Sequence, residues 1–229
     1  MIGITFALPA ESSGLRNHLR DKRKEGDLVS GRLGDHAIAI CQTGVGATHS
    51  NRVMEQLLHK ARPRLVISSG FAGAVANDLK VRDLILAENF SDPVLLGRAK
   101  EILSDRQART VKLFTSAAIV DSIDERNEIA DASGAAAVDM ETGSISEICK
   151  GHGVPMISLR AISDTPSDPL PAPADILFDI ASQRTRHGRL FAYLLRHPGS
   201  IAPLLNFARR IKHVRADLTE AIIELVRGL

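Results

Sequence analysis

Four acidic residues stand directly after apolar runs of the sequence, where a carboxyl group is well placed to act as an acid or a base. They are Glu11, Asp139, Glu141 and Asp164. In open α/β sheets, ligands bind beyond the carboxyl ends of the strands, so these positions favour general acid–base chemistry. Two acids in one apolar pocket raise the pKa of at least one of them. Each acid taken alone has an ordinary alternative, as a surface group, an ion-pair partner or the acid at a helix start.

Two segments rich in small residues also follow apolar runs. Residues 42–47, Gln-Thr-Gly-Val-Gly-Ala, precede a predicted helix, and their glycines let a ligand approach the backbone closely. A plain tight turn explains them equally well. The dinucleotide-binding fingerprint G-x-G-x-x-G is incomplete because His49 takes the place of the third glycine. Residues 68–75, Ser-Ser-Gly-Phe-Ala-Gly-Ala-Val, suit either the floor beneath a flat ligand or a tight passage from sheet to loop.

The elements between these segments alternate in the way that is typical of an α/β domain. The predicted strands are residues 2–8, 37–42, 65–69, 84–88, 111–115, 136–138 and 156–161. The predicted helices are residues 50–60, 93–103, 124–133 and 143–151, with two further ones at 175–195 and 201–227. The Pro-rich residues 164–173 are predicted to form a loop, because proline lacks a backbone donor and has a fixed φ.

Composition excludes several classes of function. The 229 residues are 44% hydrophobic and 24% charged, which predicts a folded core rather than disorder. Aromatic residues make up only 3%, so a stacking surface for nucleic acid is not expected. Cys41 and Cys149 are too few for a disulfide scaffold or a zinc cluster, and we expect neither metal nor cofactor. No apolar run reaches the about 18–20 residues of a membrane span, and no leader follows Met1, so a cytoplasmic protein is expected.

The charge is unevenly distributed along the chain. Residues 182–229 hold nine Lys and Arg residues and three acidic residues, a net charge of +6, whereas the whole chain carries only +2. We therefore divide the chain into an α/β domain at 1–181 and a basic helical extension at 182–229. Helices that pack on the sheet are the ordinary interpretation of this extension. Peripheral contact with an anionic membrane, or a role in oligomer formation, is the sharper alternative.

Together these segments resemble the purine and uridine phosphorylase superfamily, and most closely its methylthioadenosine/adenosylhomocysteine nucleosidase branch. The resemblance covers residues 2–165. After the opening strand and acid at 2–11, the segments that carry it are Thr43-Gly44-Val45-Gly46, Gly70-x-Ala72-Gly73, Leu79-Lys80-Val81-x-Asp83, Val138-Asp139-Met140-Glu141 and Arg160-Ala161-Ile162-Ser163-Asp164. The last two motifs are the most specific. The resemblance implies a three-layer α/β/α fold with a central mixed, twisted sheet, followed by the helical extension.

The resemblance also implies cleavage of the N-glycosidic bond of a purine nucleoside, with release of adenine from a 5′-substituted adenosine. By matching position, Asp164 protonates the base at N7, Glu141 holds the ribose hydroxyls, and Glu11 deprotonates the attacking water. The residues implied to bind substrate are Met140, Phe71, Gly70, Gly44 and Ser163. No metal is implied, and a homodimer or larger homo-oligomer is.

Four departures from the family pattern concern the nucleophile site, the residue after Glu141 and the base pocket. Ser68 stands where phosphorylases of the superfamily carry an arginine, which removes a bidentate phosphate ligand and favours water. Phe71 stands where the nucleosidases carry a serine, so hydrolysis and phosphorolysis, with phosphate as co-substrate, both remain open. Thr142 replaces the usual small residue. Residues 116–133 lack the branch's base-stacking aromatic, and Phe71 is either its substitute or a core residue.

The basic extension is similar to that of hopanoid-associated members of the superfamily, which act on adenosylhopane, a nucleoside with a lipid at its 5′ carbon. Such a substrate lies in a membrane, and a basic amphipathic helix near the site would suit it. Two alternatives come from other classes. A non-catalytic nucleoside-binding module would not need all three acids, Glu11, Glu141 and Asp164. A dinucleotide-binding oxidoreductase would need the missing third glycine.

Overall fold

A computed structural model of the chain describes residues 1–44, 47–173, 193 and 196–229. Of the predicted helix at 175–195, all residues except 193 lie outside this range, as does the second glycine of the turn, Gly46. In chain order the strands are β1 Ile2–Phe6, β2 Arg20–Glu25, β3 Leu28–Leu33, β4 His36–Gln42, β5 Leu65–Ala74, β6 Leu84–Ala87, β7 Arg109–Val111, β8 Leu113–Thr115, β9 Ala137–Asp139 and β10 Met156–Asp164. The helices are α1 Pro9–His18, α2 Ala47–Ala61, α3 Pro93–Ile102, α4 Ile123–Ser133, α5 Thr142–Gly151 and α6 Ile201–Gly228.

The strands form one mixed sheet in the order β2-β3-β4-β1-β5-β10-β6-β7. Its centre is parallel, because β1 pairs in parallel with both β4 and β5, and β10 pairs in parallel with β5. Antiparallel pairs flank this centre, with β3 against β4 and β6 against β10. At the carboxyl end of β5, β9 replaces β1 as the neighbouring strand and pairs with β5 in the antiparallel direction. The strand β8 in turn pairs in parallel with β9. The predicted mixed sheet is confirmed.

Helices cover both faces of this sheet. Leu15 of α1, Ala99 of α3 and Leu218 of α6 pack in one buried cluster with alternate residues of the central strands. On the opposite face, Leu57 of α2 and Ile145 of α5 pack in a second cluster. Successive side chains of a strand point to opposite faces, so buried strands with two apolar faces require a helix layer on each side. The predicted three-layer α/β/α arrangement is confirmed.

Three elements near the start of the chain, α1, β2 and β3, were not predicted. The helix α1 contains Gly14 and has only one buried apolar residue, Leu15, so its helical periodicity is weak. The strand β2 reads Arg-Asp-Lys-Arg-Lys-Glu and is exposed along its whole length. Charged residues are common on edge strands because they oppose pairing with other chains, but they hide the strand from a hydrophobicity pattern. The predicted strand 111–115 is instead two short strands, β7 and β8.

The last helix, α6, differs between its two halves. From Val214 to its end, it buries apolar residues against β10, α1 and α3, and Ile222 is 0% exposed. Its first half is largely exposed and includes two large exposed apolar residues, Ile201 and Leu205. None of the helices in the described part of the chain is long and apolar enough to cross a membrane.

Candidate active site

The carboxyl end of β5 brings the predicted acids together. Gly73 on β5 is paired with Asp164 of β10 on one side and with Val138 of β9 on the other. Because β9 is antiparallel to β5, the segment after it runs back across the strand end. That segment contains Glu141, which directly precedes α5. The two acids therefore converge from strands that flank β5, rather than from neighbouring parallel strands.

A single cavity lies above this strand end, and all three proposed catalytic acids line it. The other lining residues that were predicted from the sequence are Asp139, Met140, Phe71 and Ser163. Most of the remaining wall is apolar and consists of Ala7, Leu8, Ala72, Ala118, Ile119, Val120, Val138, Leu170, Phe207 and Ile211. The arrangement is typical of a small-molecule site, in which a few polar groups converge inside an apolar pocket.

Glu11 is fixed at both of its carboxylate oxygens. One oxygen, Oε2, accepts the backbone N–H of Leu8 at 2.8 Å, and Oε1 accepts the backbone N–H of Phe71 at 2.9 Å. The first contact caps the start of α1, so the alternative of a helix-start acid also describes this residue. Burial raises the pKa of Glu11 above its usual 4.5, although these two N–H groups and the charge of Arg160 oppose that rise. A buried carboxylate with a raised pKa is a stronger base.

Gly70 makes room for this carboxylate. A Cβ at Gly70 would lie 2.9 Å from Oε1 of Glu11 and 3.0 Å from Nη1 of Arg160, and the φ of +155° disfavours a side chain as well. Gly70 thus provides space for the carboxylate of Glu11, but it is not one of the residues that line the cavity. The other predicted glycine, Gly44, follows β4 and does not line the cavity either.

Arg160 anchors the floor of the site. Its guanidinium donates to Asp139 at 3.0 Å, to the hydroxyl of Ser68 at 2.9 Å and to the hydroxyl of Thr142 at 2.6 Å. The Thr142 hydroxyl in turn donates to Asp139. The two departures at 68 and 142 therefore belong to one buried network around the arginine. This network ties β5, β9 and β10 to the start of α5, and it places a positive charge beneath Glu11.

The carboxylate of Asp164 is paired with a second arginine, Arg126, which was not predicted from the sequence. Its Oδ2 accepts from Nη2 of Arg126, and its Oδ1 accepts from the hydroxyl of Ser163 at 2.6 Å. Arg126 lies on α4 among Asp124, Glu125 and Glu128, in a stretch that has the composition of a solvated helix face. No pattern in the sequence distinguishes this buried arginine from its exposed neighbours.

The family model described as the phosphorylase superfamily matches residues 1–100 and 88–196. Together these two matches cover most of the chain. The chain belongs to the phosphorylase superfamily. The resemblance that the sequence motifs predicted is thereby confirmed.

Two curated relatives carry the same name. A 5′-methylthioadenosine/S-adenosylhomocysteine nucleosidase of Haemophilus influenzae (strain PittEE) is 28% identical over 196 residues, which covers 71% of this chain and 85% of the relative. The protein of that name from Staphylococcus aureus (strain MRSA252) is 24% identical, with 72% of this chain and 86% of the relative covered. The similarity thus extends over most of both chains.

Solved structures of the superfamily share the fold. The S-adenosylhomocysteine nucleosidase of Streptococcus pyogenes, in complex with 5-methylthiotubericidin, superimposes with a TM-score of 0.77 at 21% identity, covering 100% of this chain and 96% of that one. The futalosine hydrolase of Helicobacter pylori gives a TM-score of 0.75 at 19% identity, with 100% and 97% covered.

Three residues that were not predicted from the sequence line the apolar end of the cavity. Leu170 comes from the Pro-rich loop, and Phe207 and Ile211 come from the exposed half of α6. Since residues 207 and 211 are four apart, they lie on the same face of the helix.

Proposed function

We propose that this chain is a nucleosidase that hydrolyses the N-glycosidic bond of a 5′-substituted adenosine and releases adenine. The observation that carries the proposal is the convergence of Glu11, Glu141 and Asp164 on one apolar cavity. The names of the curated relatives and the inhibitor in the Streptococcus pyogenes structure support the choice of substrate. A nucleoside-binding module without activity would have no need of all three acids.

Asp164 acts on the base. A purine leaves more readily as a neutral molecule, so a carboxyl at N7 lowers the barrier by donating its proton there as the bond to the sugar breaks. The Ser163 hydroxyl and Arg126 hold the two oxygens of Asp164, which leaves the carboxyl with one orientation at the cavity wall. Phe71 lies in the same cavity and supplies the aromatic face for the base.

Glu141 and Glu11 act on the sugar and on the water. As the bond breaks, the ribose develops positive charge, which a carboxylate on its hydroxyls stabilises. We assign this role to Glu141, with Met140 against the sugar, since both line the cavity. Glu11 accepts the proton of the water that attacks the sugar carbon from the face opposite the base. The balanced products are neutral adenine and a free sugar.

Water is favoured over phosphate by the charges of the site. No lysine or arginine is among the described residues that line the cavity. The nearest arginine on that side, Arg160, already donates to Asp139, Ser68 and Thr142. A phosphate dianion would instead meet the carboxylate of Glu11. Since like charges in an apolar pocket repel strongly, hydrolysis is the reaction we propose.

We propose that the 5′ substituent is apolar and is bound by the end of the cavity that α6 forms. Leu170, Phe207 and Ile211 offer hydrocarbon surface without a charge. A methylthio group fits this surface, and a hopanoid chain attached at the same carbon would extend outward from this end of the cavity. Adenosylhopane is therefore the lipid-linked substrate that we propose.

A substrate panel tests this function. Purified protein is incubated with methylthioadenosine, adenosine, inosine and a lipid-linked adenosine, and the bases and sugars are identified by chromatography and mass spectrometry. We expect adenine from methylthioadenosine and from the lipid-linked adenosine, with less product from adenosine and inosine. Binding of methylthioadenosine without any product would identify a binding module. Faster cleavage of adenosine than of methylthioadenosine would contradict the apolar 5′ site.

We further propose that the exposed half of α6 contacts an anionic membrane on its cytoplasmic face. This half combines Leu205 with exposed basic residues, including Arg209 and Lys212. Basic residues near an anionic surface contribute about 1 kcal/mol each. The test is co-sedimentation with vesicles of phosphatidylserine and phosphatidylcholine. We expect binding that is lost in the double variant Arg209→Glu/Lys212→Glu and kept in the control Lys100→Glu, and equal binding by all three proteins would contradict the proposal.

We also propose a homo-oligomer, a dimer or a larger assembly, on the strength of the family resemblance. Sedimentation velocity on the purified chain measures the mass directly. A mass of one chain, 24.7 kDa, at micromolar concentrations would contradict this proposal.

A further inference from the structure

Arg126 is a buried cation at the edge of the site. Although α4 is otherwise largely exposed, Arg126 is only 1% exposed. Its Nη1 donates to the carbonyl of Ala74 at 2.7 Å, and its Nη2 donates to the carbonyl of Val120 at 3.1 Å and to Asp164. An arginine stays protonated in proteins, and burying its charge is costly unless a counter-ion accompanies it. Asp164 is that counter-ion.

The pair is built into the fold rather than formed by flexible surface groups. Asp164 is itself only 6% exposed, and its side chain lies between β5 and α4. A Cβ at Gly73 would lie 3.1 Å from Oδ2 of Asp164 and 3.5 Å from both terminal nitrogens of Arg126. Because residue 73 of β5 is a glycine, there is room at this point for the two charged groups to meet.

We propose that Arg126 is a positioning residue for the proton transfer to the base, an inference that rests on the proposed function of Asp164. In the resting ion pair Asp164 is a carboxylate, so it takes up a proton from the solvent when the substrate binds. During cleavage this proton moves to N7, and the electron pair of the sugar–base bond moves to the base. The group that remains is the Asp164 carboxylate. Arg126 neutralises this charge in a pocket whose wall supplies no other cation from the described residues. The same contact directs the free face of the carboxyl toward the cavity.

A purely structural role must be separated from this one, because Arg126 also ties the end of β5 to the loop before α4. That loop carries Ile119 and Val120, which line the cavity. If the arginine served only to hold the loop, its loss would impair substrate binding whether or not Asp164 could donate a proton. The two roles therefore differ in whether the effect of Arg126 depends on Asp164.

A double-mutant cycle on the full chain makes this distinction. The four proteins are the wild type, Arg126→Met, Asp164→Asn and the double variant, assayed for adenine release from methylthioadenosine. We expect each single variant to lower kcat by about 100-fold or more, with little change in KM. We expect the double variant to match Asp164→Asn within about threefold, since the arginine then has no charge to serve.

Several outcomes would overturn parts of the account. A double variant that is slower than Asp164→Asn by the full factor seen for Arg126→Met would show a structural role. Wild-type turnover in Arg126→Met would remove the inference and leave the proposed function intact. Wild-type turnover in Asp164→Asn would instead overturn the acid assignment itself.

Two further measurements guard against misfolding. Arg126→Met leaves Asp164 buried without its counter-ion, so its thermal midpoint should fall below that of the double variant, which lacks both charges. If Arg126→Met does not fold, Arg126→Gln replaces it in the cycle, because glutamine keeps N–H donors for the carbonyl contacts but has no charge. The matched control is Arg109→Met, which breaks the exposed pair with Asp78 and should leave kcat unchanged.

Discussion

Glu11 illustrates how one residue serves both the fold and the site. Its carboxylate caps α1 through Leu8 and at the same time links that helix to β5 through the N–H of Phe71. The two contacts leave no rotational freedom for the carboxylate. The residue that we assign as the base is therefore set in position before the substrate arrives, which lowers the cost of reaching the transition state.

The raised pKa of Glu11 sets the acidic limb of the pH profile. Glu11 must be deprotonated to accept a proton, and burial raises its pKa above 4.5. As the pH falls, kcat/KM therefore decreases at a higher pH than an exposed glutamate would produce. We expect Glu11→Gln to lower kcat by about 10²–10⁴-fold and to remove this limb. The exposed Glu128→Gln should retain both rate and profile, and a Glu11→Gln profile identical to the wild type would refute the assignment.

The space at Gly70 gives a second prediction for a single residue. Gly70→Ala would place a methyl group 2.9 Å from Oε1 of Glu11. We expect a loss of about 1–3 kcal/mol in the free energy of unfolding and a decrease of about 100-fold in kcat. As a control, Gly97→Ala on the exposed face of α3 meets no atom within 4 Å and should be neutral or slightly stabilising. Urea unfolding and steady-state kinetics measure both effects, and equal behaviour of the two variants would contradict this account.

The acids of the site were predictable from the sequence, and their partners were not. Glu11, Glu141 and Asp164 were found because each follows an apolar strand, a relation that local sequence records. Arg126 is distant in sequence from Asp164 and lies among charged residues, so its burial is decided by how α4 packs across the end of β5. A single sequence does not contain that tertiary information in any local pattern.

The helix α6 joins the core to the mouth of the site. Its second half completes one face of the sheet, whereas its first half carries Phe207 and Ile211 to the cavity. The division of the chain at residue 181 remains a prediction, but α6 belongs to the core that covers the sheet. For this reason the role of its exposed half is better tested by substitutions than by truncation.

Substitutions in the two halves of α6 should differ in their effect on the free energy of unfolding. Ile222 is fully buried, so we expect Ile222→Ala to reduce the free energy of unfolding by about 2–5 kcal/mol. Leu205 is 55% exposed, and Leu205→Ala should change stability by less than about 0.5 kcal/mol. Denaturant titration of both variants tests the packing of the helix. A stability loss of the same size in both would show that the exposed half is also covered.

The elements that the sequence predicted well are those with two buried faces. The central strands β1, β4, β5 and β10 are buried along most of their length and consist mainly of apolar and small residues, a composition that is visible without any knowledge of the fold. The edge strand β2 is fully charged, and its strand conformation arises only from pairing with β3. Its conformation is thus decided by tertiary context, which overrides local propensity.

At the scale of the whole molecule, the fold and the uneven charge point to one arrangement. The acids lie at the carboxyl end of the sheet, and the basic, exposed half of α6 lies at the same end, since Phe207 and Ile211 reach the cavity. A substrate with an apolar 5′ group would thus enter from the side that carries positive charge. The small net charge of +2 conceals this polarity.

The most direct test of the central claim is the fate of methylthioadenosine with and without inorganic phosphate. We predict equal amounts of adenine and free 5-methylthioribose, at a rate that phosphate does not change, because the cavity offers phosphate no free cation among the described residues. A phosphate-dependent rate with the sugar 1-phosphate as product, or the absence of adenine altogether, would contradict the account.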